Sequence, residues 1–74
     1  MKLNYHVFTA KAFEAVKNAT ENSEVAGSAT MYAGTLFVKC NAYSAAKIET
    51  ALIKELACGV IVSKVGPEYA FDFV

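Results

Sequence analysis

Apolar and polar positions alternate over residues 2–8, with Leu3, Tyr5 and Val7 on one side and Asn4, His6 and Phe8 on the other. That period of two predicts a strand. Thr9 can accept a hydrogen bond from free amides of the next turn and is a candidate N-cap. The period then lengthens: Ala12, Phe13, Val16 and Ala19 recur at intervals of three and four, while Lys11, Glu14, Lys17, Asn18 and Glu21 fall opposite. This predicts an amphipathic helix over about residues 10–21. Polar residues 21–28 read as a loop.

Residues 28–40 are rich in strand formers and are broken by Ala33 and Gly34. With those two as a turn, Met31 meets Leu36 and Ala29 meets Val38 on one side. Tyr32 then meets Thr35, and Thr30 meets Phe37, on the other. Because the pairs sort consistently by face, a hairpin is favoured; one long strand bulged at Gly34 is the rival reading. Asn41 or Ser44 can cap a second helix, which Gly59 ends. The apolar stripe of that helix is Ala45, Ile48, Leu52 and Leu56, and Lys47, Thr50 and Lys54 point to water. Val60–Val65 and residues 69–74 read as two further strands, separated by a turn at Gly66, Pro67 and Glu68. The predicted chain is one α+β domain over residues 1–74. Its order is β-α-β-β-α-β with an extra C-terminal strand, and two helices cover one face of a mostly antiparallel sheet, the ferredoxin-like layout.

Composition sharpens this picture at one point. A chain of 74 residues has little interior, yet 55% of its residues are hydrophobic. Some apolar surface is therefore expected to meet a partner or a second copy. Seven basic side chains, all lysine, balance seven acidic ones. This argues against general nucleic-acid binding, which draws on excess positive charge. No run is long and apolar enough to cross a membrane and no leader pattern opens the chain, so a cytoplasmic protein with reduced thiols is expected.

Few residues suggest chemistry. His6 is the single histidine and has no motif partner. Cys40 continues the Leu36, Val38 alternation and reads as a small core hydrophobe. Cys58 falls in the last turn of the second helix, where the helix dipole opposes a lowered thiol pKa. Glu49 borders the apolar stripe. The pattern predicts no catalytic residues, no metal ligands and no cofactor. An enzyme centred on His6 or Glu49 is the third-ranked alternative.

The run Gly34, Leu36, Phe37, Val38 and Lys39, followed by Tyr43, Ser44, Ala45, Ala46 and Lys47, resembles the third strand and second helix of RNA-recognition motifs. Gly34, Phe37 and Val38 match that family's strand pattern, whereas Thr35 and Cys40 stand where it has aromatics. The resemblance implies the fold, with Phe37 as the residue carried over for base stacking. The strand 36–40, the helix start at Ser44 and the strand beginning Gly59, Val60 and Ile61 also resemble small phage and mobile-element proteins, including anti-CRISPR inhibitors. This second resemblance implies a non-enzymatic inhibitor that masks a host protein's surface.

These readings converge on a protein-binding module, with a homodimer through the sheet as a close variant. Tyr32 and Phe37 are the expected anchors, and Lys39, Lys47, Thr50 and Lys54 the expected surrounding contacts. A single-stranded RNA binder stacking bases on Phe8, Tyr32 and Phe37 is the runner-up.

Overall fold

A computed structural model describes residues 5–74, with the side chains of Tyr5 and His6 outside that description. Three helices and four strands follow in the order α1 (Tyr5–Thr20), α2 (Ser23–Ser28), β1 (Thr30–Tyr32), β2 (Thr35–Lys39), α3 (Ala42–Leu56), β3 (Val60–Val65) and β4 (Glu68–Phe73). The strands form one antiparallel sheet in the order β1-β2-β4-β3. The α+β class is as expected. The first strand is not: residues 5–8 form the opening turn of α1, and the rest of the predicted strand, residues 2–4 with Leu3, lies outside the described residues.

The helical stripe of α1 explains that difference. Phe8, Ala12, Ala15 and Val16 fall at intervals of three and four, so the helix period already holds at Phe8. Phe8 turns its ring onto Phe73 of β4, edge to face, with centroids 4.9 Å apart. Thr9 therefore lies inside the helix and does not cap it. Its hydroxyl is buried and has no hydrogen-bond partner among the described residues. Glu21, at φ 49°, ends α1 in a left-handed turn, and its N–H reaches the Lys17 carbonyl at 3.0 Å.

The segment expected as a loop contains the short α2. Asn22 caps it, its side-chain oxygen accepting from the amides of Glu24 at 2.9 Å and Val25 at 3.2 Å. In the same way Asn41, not Ser44, caps α3 by accepting from the Ser44 amide at 2.8 Å. α3 stops before Gly59: Ala57 takes the left-handed conformation (φ 52°) and bonds back to the Ile53 carbonyl. Cys58 thus sits in the link to β3, past the helix. Gly59 serves another purpose. It exchanges two backbone hydrogen bonds with Val74, and a Cβ there would come within 2.6 Å of Val74 Cγ2.

Residues 28–40 form the hairpin and not a single bulged strand. Thr30 pairs with Phe37, Met31 with Leu36 and Tyr32 with Thr35, the register read from the alternation. Ala33 and Gly34 both have positive φ, 50° and 83°, as a type I′ turn requires. The second hairpin turns at Gly66 (φ 60°) and Pro67, closing the Val65–Glu68 pair.

One face of this sheet carries the core. Leu36, Val38 and Phe71 are fully buried against Ala12, Ala15 and Val16 of α1 and Ala45, Ile48 and Leu52 of α3. Among the described residues Phe71 is the largest side chain buried completely. Truncating an aromatic ring in such a position removes about 3–5 kcal/mol, a large part of what a domain this small possesses.

Candidate functional site: the outer face of the sheet

Strand geometry sends successive side chains to opposite faces. Every strand residue in the core cluster, from Met31 on β1 to Val60 and Val62 on β3, belongs to the helix-facing set. The remaining strand residues form an outer face in three cross-strand rows. Tyr32, Thr35, Asp72 and Ile61 make the first row; Thr30, Phe37, Ala70 and Ser63 the second; Lys39, Glu68 and Val65 the third. Among the described residues no helix packs on this face. Of the two faces the last strands could have shown, Ala70 and Asp72 point outward and Tyr69, Phe71 and Phe73 inward.

Phe37 occupies the centre of the middle row and is half-buried. Ala70, directly opposite, is only 4% exposed yet belongs to no core cluster, so its neighbours on the outer face shield it. Tyr32 lies toward the β1 side at 72% exposure, and Ile61 and Val65 lie at the β3 side at 56% and 50%. The Thr35 hydroxyl donates to the Asp72 carboxylate at 2.5 Å and fixes the polar part of the first row. The face thus has an aromatic centre, apolar flanks and three charged groups, Lys39, Glu68 and Asp72.

The six residues singled out from the sequence lie on two separate surfaces. Tyr32, Phe37 and Lys39 share the outer sheet face. Lys47, Thr50 and Lys54 lie on α3, on the side turned away from the sheet, where with Ala19 of α1 they line an open hollow of about 470 Å³. There the Lys47 ammonium rests 4.8 Å from the centre of the Tyr43 ring. The Thr50 hydroxyl is engaged by the Ala46 carbonyl at 3.1 Å. Phe8, expected beside Tyr32 and Phe37, is instead on the helix side against Phe73. Ile61 and Val65 were missed as contributors, because the face shown by the last two strands depends on their pairing partner.

The residues considered for chemistry are dispersed. His6 belongs to α1 rather than to a strand. Glu49 is half-buried on α3. Cys40 is partly buried against the core, and burial pushes its thiol pKa up. Both cysteines are free thiols, and no cluster of His, Cys, Asp and Glu able to hold a metal occurs among the described residues. No helix is long and apolar enough to cross a membrane among the described residues. Compared with protein-family models, with curated proteins and with solved structures, the chain matches none.

Proposed function

We propose that this domain acts by binding another protein through the outer face of its sheet, without chemistry of its own. The observation that carries this reading is the separation of the two faces. The described core lies on the helix side, while Tyr32, Phe37, Ile61 and Val65 lie on the other with no described element over them. Rigid aromatic side chains on a preformed sheet supply contact area at low entropic cost. The partner surface that fits is apolar at its centre, with donor or basic groups to meet Glu68 and Asp72. An inhibitor that masks a working surface of a host protein, as the anti-CRISPR resemblance implies, is the finer form of this proposal.

Charge separates it from RNA binding. The outer face carries one positive side chain, Lys39, against two negative ones, Glu68 and Asp72, which disfavours a polyanion. With Phe8 held elsewhere, two rings remain for stacking where three were expected.

The test compares wild type with Tyr32→Ala/Phe37→Ala and, as a control surface, Lys47→Glu/Lys54→Glu, in quantitative affinity capture from host lysate. Loss of a specific captured protein with the first pair alone supports the reading. Capture that survives the first pair overturns it, as does salt-sensitive binding of single-stranded RNA that depends on Phe37.

A further inference from the structure

Among the described residues the sheet has two edges, and they differ. β1 offers three residues, whereas β3 offers six, Val60–Val65. The backbone polarity of β3 follows from two fixed points. Gly59 and Val74 exchange both N–H···O bonds, at 3.3 and 2.9 Å, and a two-residue turn closes the Val65–Glu68 pair. In an antiparallel ladder the bonding direction alternates. Gly59, Ile61, Ser63 and Val65 therefore bond toward β4, while Val60, Val62 and Lys64 turn their N–H and C=O groups to the open edge.

Natural edges are usually blunted by proline, a bulge, short length or charge. β3 has no proline, and its pairing with β4 is continuous. Its single charge, Lys64, lies with its ammonium 5.2 Å from the centre of the Tyr69 ring, over its own sheet. On the outer face, Ser63 is flanked two residues away on each side by the exposed Ile61 and Val65.

We propose that two copies of the chain pair antiparallel through β3, about a two-fold axis at Ser63, to form one continuous eight-stranded sheet. A single register then satisfies side chains and backbone together. Ile61 of each copy lies opposite Val65 of the other, so the two apolar side chains shield each other along the seam. Val62 and Lys64, whose backbone groups face outward, lie opposite each other and exchange hydrogen bonds. An axis at Val62 would instead set Ile61 against Ser63 and Val60 against Lys64. That self-complementarity selects a second copy over an unrelated strand. The three-residue β1 edge gives little template for further addition, so assembly closes at two rather than growing into a fibre.

Light scattering over a concentration series is expected to show a mass rising to twice the 7.9 kDa of the single chain. In a Cys40→Ala/Cys58→Ala background, Ser63→Cys is expected to form an intermolecular disulfide on mild oxidation, because directly opposed residues of a non-hydrogen-bonded pair lie about 4.5 Å apart at Cα. Val62→Cys is not. Lys64→Pro removes an outward N–H and no bond to β4, and should weaken association at least ~tenfold. Ile61→Lys should do the same without altering the backbone, with circular dichroism reporting a retained fold in each. Tyr32→Ala/Phe37→Ala should leave the mass unchanged, so failure of the face and failure of the edge are told apart. A single-chain mass throughout, a dimer indifferent to both Lys64→Pro and Ile61→Lys, or cross-linking through Val62→Cys in place of Ser63→Cys would overturn the proposal.

Discussion

Thr35 and Asp72 are 37 residues apart in sequence and share a hydrogen bond of 2.5 Å across the β2–β4 seam, on the face away from the helices. This seam joins the two hairpins, and their side chains lock it from the solvent side while Leu36, Val38 and Phe71 lock it from within. Hydrogen bonds to a charged group contribute about 1.5–3 kcal/mol, and solvent at this half-buried pair reduces that to about 1 kcal/mol. Thr35→Val should therefore destabilise by roughly 1 kcal/mol. The double change with Asp72→Leu should cost less than the two single changes together. Urea unfolding of the four proteins measures the coupling; strict additivity would show that the bond contributes nothing.

Ala33 stands in left-handed backbone, where an L side chain costs about 1–2 kcal/mol and Asn is better tolerated. Ala33→Asn creates the Asn-Gly pair that type I′ turns prefer. We expect a gain of up to about 1 kcal/mol, or roughly 4–8 °C in Tm for a domain of this size. Gly34→Ala, at φ 83°, should lower Tm. Calorimetry on the two variants tests both signs.

The two asparagine caps should differ in reach. Asn41 starts the helix that supplies Ala45, Ile48 and Leu52 to the core, so Asn41→Ala should cost about 1 kcal/mol of global stability. α2 contains no buried residue. Asn22→Ala should mainly raise amide exchange in residues 23–28, with a smaller shift in the global midpoint. Equal global losses would contradict this assignment.

Burial raises the Cys40 thiol pKa above its unfolded value. For such a group the folded state favours the protonated form. Its contribution to stability is complete below the unfolded thiol pKa and is lost as pH rises through the folded one. Stability should therefore fall in the alkaline range, and Cys40→Ala should flatten that part of the profile. Alkylation of Cys40 should also run more slowly in the native chain than in urea, as peptide mass mapping can follow.

The hairpin and its register were legible because Met31 with Leu36 and Tyr32 with Thr35 sort by face around a two-residue turn. The core stripe of α3 was legible from Ala45, Ile48 and Leu52. Residues 5–8 misled, because a short run of Tyr, His, Val and Phe satisfies a period of two while Phe8 also begins the α1 stripe. Tertiary contact with Phe73 decides in favour of the helix, against local strand propensity. α2 was hidden by its polarity, although Asn22 followed by Glu24 is a cap with an acidic first turn. The strand order has no local signature at all. Nothing in 30–39 or 60–73 states that β2 rather than β1 will lie beside β4, and that pairing placed Ile61 and Val65 on the candidate face.

The two-residue length of each turn has an effect on what the surface can become. Inserting one residue beside Ala33 and Gly34 while the turn stays two residues long would slip the register by one, turning Phe37 inward and Leu36 outward. With the count held, odd positions of β2 and β3 and even positions of β1 and β4, the buried Ala70 apart, are free of the interior. Thr35, Phe37, Lys39, Ile61, Ser63 and Val65 can then be rewritten for a different counterpart while the packing beneath stays as it is, so one scaffold can present many faces.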